Sequence, residues 1–538
     1  MGVMAKKEAR GRAQATLLKR ALAARDQGNL LQAELLFTQL LEELPQHAAA
    51  HNYLGVLKFR RGEAGEALAH FDSALRAEPG YADAYNSRAN VLLELGRIEE
   101  ALQSYQGALA ADPGNPDLLY NRGVVLAQLG RHAEAAADLR KALAALPRDA
   151  DVLCDLAVSL RALGGEDEAL EVLNRALRED PHHARALSNR GNALLALGRL
   201  PAAIESQRAA LALEPDNGDI RLNLAVAQLT AGDWAGAWPH YAWRHKAKQF
   251  SGRTRSFPQP LWSGDFDLNG RTVLLHAEQG FGDTIMFARY VPRVAALGAK
   301  VVLDVQPRLK RLLERMQGAA QVIATGEELP AFDAHCPLPG LPLAFGTTPQ
   351  TVPAEVPYLP VDEDLRRKWR QKLAPDAKPR VGIVWSGSRE YGKDRARSVV
   401  LQDLVPVLAV PGIRFVSLQK EVGPEDARLL ASLGIEQTGA EQEDFRDAAA
   451  LVAEMDLVIS VDTAVSHLAG ALGKPVWLML AFSPDWRWMR AREDSPWYPA
   501  TRLFRQQAPG EGWASTIERM VEALERRHSR LAGPAQAR

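Results

Sequence analysis

Cysteine is nearly absent: the 538 residues hold two, Cys154 and Cys336, in segments assigned below to different domains. That excludes a disulfide framework and suits a reducing compartment. No charge sign is in excess, since 65 Lys and Arg stand against 66 Asp and Glu, a net charge of -1. No global field draws the chain to nucleic acid or an anionic membrane, and neither is expected as a partner. Long hydrophobic runs are missing. The longest, Pro475 to Phe482, is strand length, far short of the ~18 residues a membrane span needs. The opening Met1-Gly2-Val3-Met4-Ala5-Lys6-Lys7 builds no apolar core of a secretory leader, and Lys6 stands where N-myristoylation needs Ser or Thr. The expected location is the cytoplasm. What remains is an ordinary globular balance, 47% hydrophobic and 24% charged, in a length that suits roughly three or four domains.

The first half is periodic. Prolines stand at Pro45, Pro79, Pro113, Pro147, Pro181 and Pro215, each 34 residues after the last. Alanines at Ala33, Ala67, Ala101, Ala135, Ala169, Ala203 and Ala237 keep the same period, and a second small residue follows seven positions later at Ala74, Ala108, Ala142, Ala176 and Ala210. Large side chains such as Phe37, Phe71, Tyr105 and Leu139 lie between them. Small residues belong where helices cross closely, and the large ones fill the groove beside them. Gly in Leu95-Gly96-Arg97 and its equivalents ends the first helix of each unit, and Pro ends the second. The pattern resembles the tetratricopeptide repeat (TPR), about seven units from roughly Gln14 to Lys248, which implies an all-α superhelix. Such an array presents a concave groove for protein or peptide. Asn121, Asn189 and Asn223 recur at one repeat position on the groove-lining helix, and Asn86 stands one residue before the same position in its own unit. They fit either hydrogen bonding to a peptide backbone or pairing between adjacent helices. The last unit is rich in aromatics, Trp234, Trp238, Tyr241 and Trp243, with Arg244 where a small residue is expected; these rings are read as a dock for the next domain.

After Phe250 the pattern changes. Residues 251–270, rich in Pro, Gly, Ser and Trp, form a linker or docking segment. Strands and helices then alternate, which argues parallel sheets. One α/β domain is expected over 271–373, with strands at Thr272–His276 and Lys300–Val305, shorter ones near Gln321 and His335, and one helix over Asp283–Leu297. A second is expected over 374–528, with strands at Arg380–Trp385, Ile413–Ser417, Asp456–Val461 and Pro475–Ala481. A last helix, Ala514–Arg526, returns across the fold, and 529–538 is a flexible tail. Two Rossmann-like domains with a linker and a returning helix describe the GT-B architecture, whose ligands bind beyond the carboxyl ends of the strands.

Three motifs fall at such ends. In Gln279-Gly280-Phe281-Gly282-Asp283, Gly280 and Gly282 let the backbone approach a ligand, and Asp283 fits either a general base or a plain helix cap. Ser386 and Gly387 precede Lys393, Arg395 and Arg397, a small-residue turn with three cations that suits a diphosphate or, alternatively, a solvated loop. Asp462 and Thr463 stand where a buried strand meets a helix, with His467 one turn in. That helix end fits a ribose, sugar hydroxyls or pyrophosphate, or else an N-cap followed by an ordinary helix residue.

The run Asp462-Thr463-x-x-x-His467-Leu468-Ala469-x-Ala471-Leu472-Gly473-Lys474-Pro475, with Gly282-Asp283, resembles the ADP-heptose:lipopolysaccharide heptosyltransferases of glycosyltransferase family 9. Tyr241-Ala242-Trp243-Arg244, Asp394-Arg395-Ala396-Arg397-Ser398 and Trp497-Tyr498-Pro499 resemble a bacterial TPR-linked subset. The layout is similar to that of the protein O-GlcNAc transferases. The resemblance implies an inverting, metal-independent transfer from a nucleotide-diphosphate sugar, which is a co-substrate; no cofactor is expected. It implies Asp283 as base, Lys393 or Arg397 at the leaving diphosphate, and Asp462, Thr463 and His467 at the donor. Where heptosyltransferases carry a Gly-Pro-Thr-Asp-like turn, this chain reads Ser483-Pro484-Asp485-Trp486, so the donor sugar stays open. The alternative to an enzyme is a TPR scaffold whose second half only binds nucleotide.

Overall fold

The computed structural model describes residues 2–252, 255–373, 378–387 and 397–531. It divides into two compact units, Met1–Ala193 and Leu194–Arg538.

The first unit is built of antiparallel helix pairs such as Ala82–Glu94 with Ile98–Ala111 and Pro116–Gln128 with His132–Ala145. Within each pair the chain turns through a glycine with positive φ, 72° at Gly96 and 75° at Gly130. An L side chain there costs about 1–2 kcal/mol, which explains the period in glycine. The periodic alanines Ala33, Ala67, Ala101, Ala135 and Ala169 are all fully buried at 0% exposure, as crossing positions require. Phe37, Phe71 and Tyr105 fill the space beside them. Cys154 is a buried free thiol within this packing, as is Cys336 in the second unit.

The second unit opens with the helices Leu200–Leu213, Gly218–Ala231 and Trp234–Tyr241. Fourteen helices thus run from Gly2–Asp26 to Trp234–Tyr241, the seven pairs expected, with the first helix starting well before Gln14. Two parallel sheets follow. The first holds β1 (Thr272–His276), β2 (Lys300–Val305), β3 (Ala319–Ala324) and β4 (Ala334–Pro337) in the order β3-β2-β1-β4. The second holds β5 (Arg380–Val384), β6 (Arg414–Ser417), β7 (Glu436–Gln437), β8 (Leu457–Val461), β9 (Val476–Leu480) and β10 (Thr501–Arg505) in the order β10-β9-β8-β5-β6-β7. These are the two Rossmann-like domains of a GT-B fold. The inner strands β1, β2, β5, β8 and β9 are buried on both faces, so they read as apolar runs with no alternation, while the edge strands β3, β7 and β10 expose polar residues.

Three expectations need correction. The helix expected over Asp283–Leu297 is two, Phe281–Ala288 and Val291–Ala296, because Pro292 offers no N–H to continue the first. Among the described residues the last helix, Ala514–Leu531, stays on the second sheet and does not cross to the first. Its Ile517, Met520 and Leu524 pack with Val381, Phe415 and Phe504 on the second sheet. It also runs into the expected tail, of which 532–538 lies outside the described residues.

The aromatic end of the repeats docks as expected. Trp234 stacks on Trp497 at 5.1 Å, and Trp238 meets Trp486 edge-on at 5.6 Å. The Trp238 indole N–H donates to the Thr347 carbonyl at 2.6 Å. Trp243 faces elsewhere, with the cations of Arg221 and Lys246 over its ring at 3.7 and 3.9 Å.

Candidate functional site

In each sheet the strand order reverses direction beside the first strand, at β1/β4 and at β5/β8. Crevices open beyond the carboxyl ends of strands at such points. Gly280 to Asp283 follow β1, Ser386 and Gly387 follow β5, and Asp462 and Thr463 follow β8. The ends of β5 and β8 are level, because Val384 pairs with Ser460.

Asp283 is the third residue of the helix Phe281–Ala288. Its Oδ2 accepts from the backbone N–H of Gly280 at 3.0 Å, closing the helix end. Its Oδ1 accepts from Nη2 of Arg487, which lies just beyond β9 in the second sheet's domain. Arg487 is 7% exposed, and its Nη1 also donates to Oδ1 of Asp485 at 2.7 Å. Burial pushes the Asp283 carboxyl above the ordinary carboxylate range; Arg487 opposes this and Asp485 adds to it. Asp283 therefore both caps its helix and joins an ion pair that links the two sheets' domains.

On the other side, Asp462 and Thr463 stand at the start of the helix Ala464–Ala471, with Thr463 as its N-cap. Arg397 reaches this turn and donates from Nη1 to the Asp462 carbonyl at 2.7 Å. Burial, reinforced by the charge of Asp485, pushes the Asp462 carboxyl up to about 6. His467 Nε2 lies 3.7 Å from Asp462 Oδ1, while its Nδ1 shares a 3.0 Å hydrogen bond with the Tyr498 hydroxyl. The imidazole is stacked under Trp488 at 5.3 Å. Burial pushes its pKa down to about 3, helped by Arg487, so the ring is neutral at working pH. A Cβ on Gly282 would meet His467 Cδ2 at 2.8 Å. The lack of a side chain at Gly282 thus lets the two helices close on each other, where sequence reading expected room for a ligand. Gly280 has no such neighbour: a Cβ there would meet only Asp283 Oδ2, at 3.4 Å.

The segment 436–483, which carries β8, the Asp462 turn and β9, matches the profile of glycosyltransferase family 9 (heptosyltransferase). Residues 18–82, 86–150 and 154–213 match one tetratricopeptide-repeat profile and 194–237 another. This chain thus carries tetratricopeptide repeats and, over 436–483, a segment similar to glycosyltransferase family 9. Protein FlbA of Caulobacter vibrioides is 31% identical over 328 residues, covering 56% of this chain and 54% of that protein. The chain thus spans about half the length of that curated relative. Among solved structures, YrrB, described as a TPR protein with an unusual peptide-binding site, is 29% identical, with 34% of this chain and 93% of that one covered and a TM-score of 0.32. A tetratricopeptide repeat protein from Parabacteroides merdae is 23% identical, with 44% and 91% covered and a TM-score of 0.36. Among the described residues no helix is long and apolar enough to cross a membrane.

Of the expected site residues, Asp283, Arg397, Asp462, Thr463 and His467 fall around the two facing helix ends. The neighbouring turn after β5 is tied down through its backbone. The Ser386 N–H donates to Gln419 at 3.4 Å and the Gly387 N–H to the Ser398 hydroxyl at 3.3 Å. Lys393 and Arg395 lie outside the described residues. In the repeats, Asn121 Nδ2 donates to Asn86 Oδ1 at 3.4 Å. That is the pairing between adjacent helices, seen for these two; Asn189 and Asn223 are likewise half-buried. Sequence reading missed Arg487 and Tyr498. The only signal for either was its place in a motif: Arg487 beside the atypical Ser483-Pro484-Asp485-Trp486 turn, and Tyr498 within Trp497-Tyr498-Pro499.

Proposed function

We propose that this chain is an inverting, metal-independent glycosyltransferase that uses a nucleotide-diphosphate sugar, and that its repeats recruit a protein acceptor. The observation that carries this reading is the convergence of Asp283, Arg487, Arg397 and the Asp462 helix end at the reversal points of two facing sheets. The match of 436–483 to a glycosyltransferase family supports it. In this reading Asp283 takes the proton from an acceptor hydroxyl, whose oxygen attacks the anomeric carbon. The bond from that carbon to the diphosphate breaks on the opposite face, and the nucleoside diphosphate departs with the electron pair. Arg397, with Arg487 when it turns from Asp283, neutralises the developing charge, the role a divalent cation serves elsewhere. The N-terminal end of the helix Ala464–Ala471 and the Asp462 turn hold the donor.

One observation favours the scaffold reading instead: both carboxylate oxygens of Asp283 already have partners, Gly280 and Arg487. A thermal-shift screen against ADP-, UDP-, GDP- and dTDP-sugars separates binding from its absence, since a ligand well above its Kd raises stability by a few kcal/mol. A shift with one nucleotide, lost in Asp462→Ala, is expected. Transfer with that donor then distinguishes enzyme from scaffold: general-base catalysis contributes about 10²- to 10⁴-fold, so Asp283→Asn should lose that factor. No shift with any of the four counts against both readings of the site.

A further inference from the structure

The loop that carries Asp283 is gripped from outside its own domain. Arg244, in the 3₁₀ turn Ala242–Lys246 after the last repeat helix, sends Nε and Nη2 to the two carboxylate oxygens of Glu278 at 2.7 and 2.8 Å. Both side chains are buried, with 4% and 5% exposure. The neighbouring Gln279 donates from Nε2 to the hydroxyl of Tyr241, the last residue of that helix, at 3.0 Å. The Gln279 carbonyl accepts from Gln306 at 2.8 Å, and Gln306 in turn accepts from the Thr284 hydroxyl at 2.9 Å. The residues before and after Asp283 thus belong to one hydrogen-bonded set. The other face of the Tyr241 contact is Trp486, edge-on at 6.0 Å. Trp486 precedes Arg487, the partner of Asp283 from the second sheet's domain. Both groups that fix Asp283, its own loop and the Arg487 turn, therefore rest on the end of the last repeat.

We propose that Tyr241 and Arg244 are positioning residues for Asp283, so that the final repeat is part of the active centre and not only a dock. This rests on the glycosyltransferase reading for its catalytic consequence, though the positioning contact itself does not. Arg is suited to the task because its planar fork fixes both oxygens of Glu278 in one geometry, which a Lys point charge does not. Displacement of a reacting group by about 1 Å can cost about 10²-fold in rate, and a site's supporting shell sets that precision.

The test uses the full chain with Tyr241→Phe, which keeps the ring and its packing and loses only the hydroxyl bond to Gln279. Gln279→Leu removes the same bond from the other side, and Trp243→Phe serves as a control whose ring faces Arg221 and Lys246. Two readouts are taken: amide hydrogen exchange over 277–284, and kcat and KM for donor turnover. Faster exchange in Tyr241→Phe and Gln279→Leu, with kcat lower by about tenfold and donor KM unchanged, is expected, and Trp243→Phe should match wild type in both. Exchange over 277–284 unchanged in the two variants overturns the proposal, whether or not turnover is seen. Faster exchange with unchanged kcat in an active enzyme also overturns it, since the contact would then be structural only. Faster exchange in a chain that turns over no donor upholds the contact and counts against the glycosyltransferase reading.

Discussion

Asp283 and Asp462 are both pushed above the ordinary carboxylate range by burial, and their neighbours separate them. Asp283 has Arg487 as a direct partner, which opposes the shift. Replacing Arg487 with Gln leaves burial and Asp485 acting on it, so its pKa rises further. A base must be ionised to act, so the acid limb of the kcat/KM profile should move to higher pH in Arg487→Gln; an unmoved limb would separate Asp283 from the rate. Asp462, at about 6 in the fold, titrates near 3.9 when unfolded. Between those values the folded chain holds the proton and the unfolded chain has lost it, so this group lowers stability as pH rises. Asp462→Asn removes the penalty. Its stability relative to wild type should grow by about 1.4 kcal/mol per unit between about pH 4 and 6, and urea unfolding across that range would show a flat difference if the assignment is wrong. Asp283 and Asp462 were legible because each stands at a strand-to-helix junction beside small residues. Arg487 was not: it lies 204 positions from Asp283 in sequence, and no local pattern distinguishes it from a solvated arginine.

The helices and strands test differently. The repeat was legible to the residue, because its period is set by two hard constraints. Gly96 needs φ of 72°, and the alanines such as Ala101 are fully enclosed at crossings. Gly96→Ala should cost about 1–2 kcal/mol, read as a lower Tm. No Cβ clash adds to this, as open space surrounds the position. Gly282→Ala fails for the opposite reason: its backbone is permissive, yet the Cβ would press on His467 at 2.8 Å. Overpacking of this kind costs about 1–3 kcal/mol, and the same crowding should weaken donor binding, whereas Gly280→Ala meets only Asp283 Oδ2 at 3.4 Å and should be milder. What sequence reading lost at this scale was lost to short elements. β7 has two residues and no periodicity to detect, β10 went unrecognised in a stretch rich in charge and Pro, and Pro292 broke a pattern whose apolar spacing ran on past it.

At the scale of the whole molecule, the second unit joins the last repeat to both Rossmann-like domains in one core, with Trp238, Trp486, Trp497 and the strands β1 and β8 all contributing buried residues to it. The aromatic composition of the last repeat announced a dock. It did not announce that Glu278, Gln279 and Arg487 would be reached through it, since those contacts depend on tertiary placement. Trp238→Ala should therefore act on more than a helix end. Loss of a buried Trp costs about 3–5 kcal/mol, and unfolding followed by near-UV circular dichroism should show the α/β region destabilised together with the helix. The central claim is that the site formed by Asp283, Arg487, Arg397 and the Asp462 helix end transfers a sugar from a nucleotide-diphosphate donor. The most direct test is nucleoside-diphosphate release from a panel of sugar nucleotides, in EDTA, by wild type and Asp283→Asn. The account predicts release from one nucleotide class without added metal, reduced by about 10²-fold or more in the variant. Release that survives Asp283→Asn undiminished, or a panel from which wild type releases nothing, would contradict it.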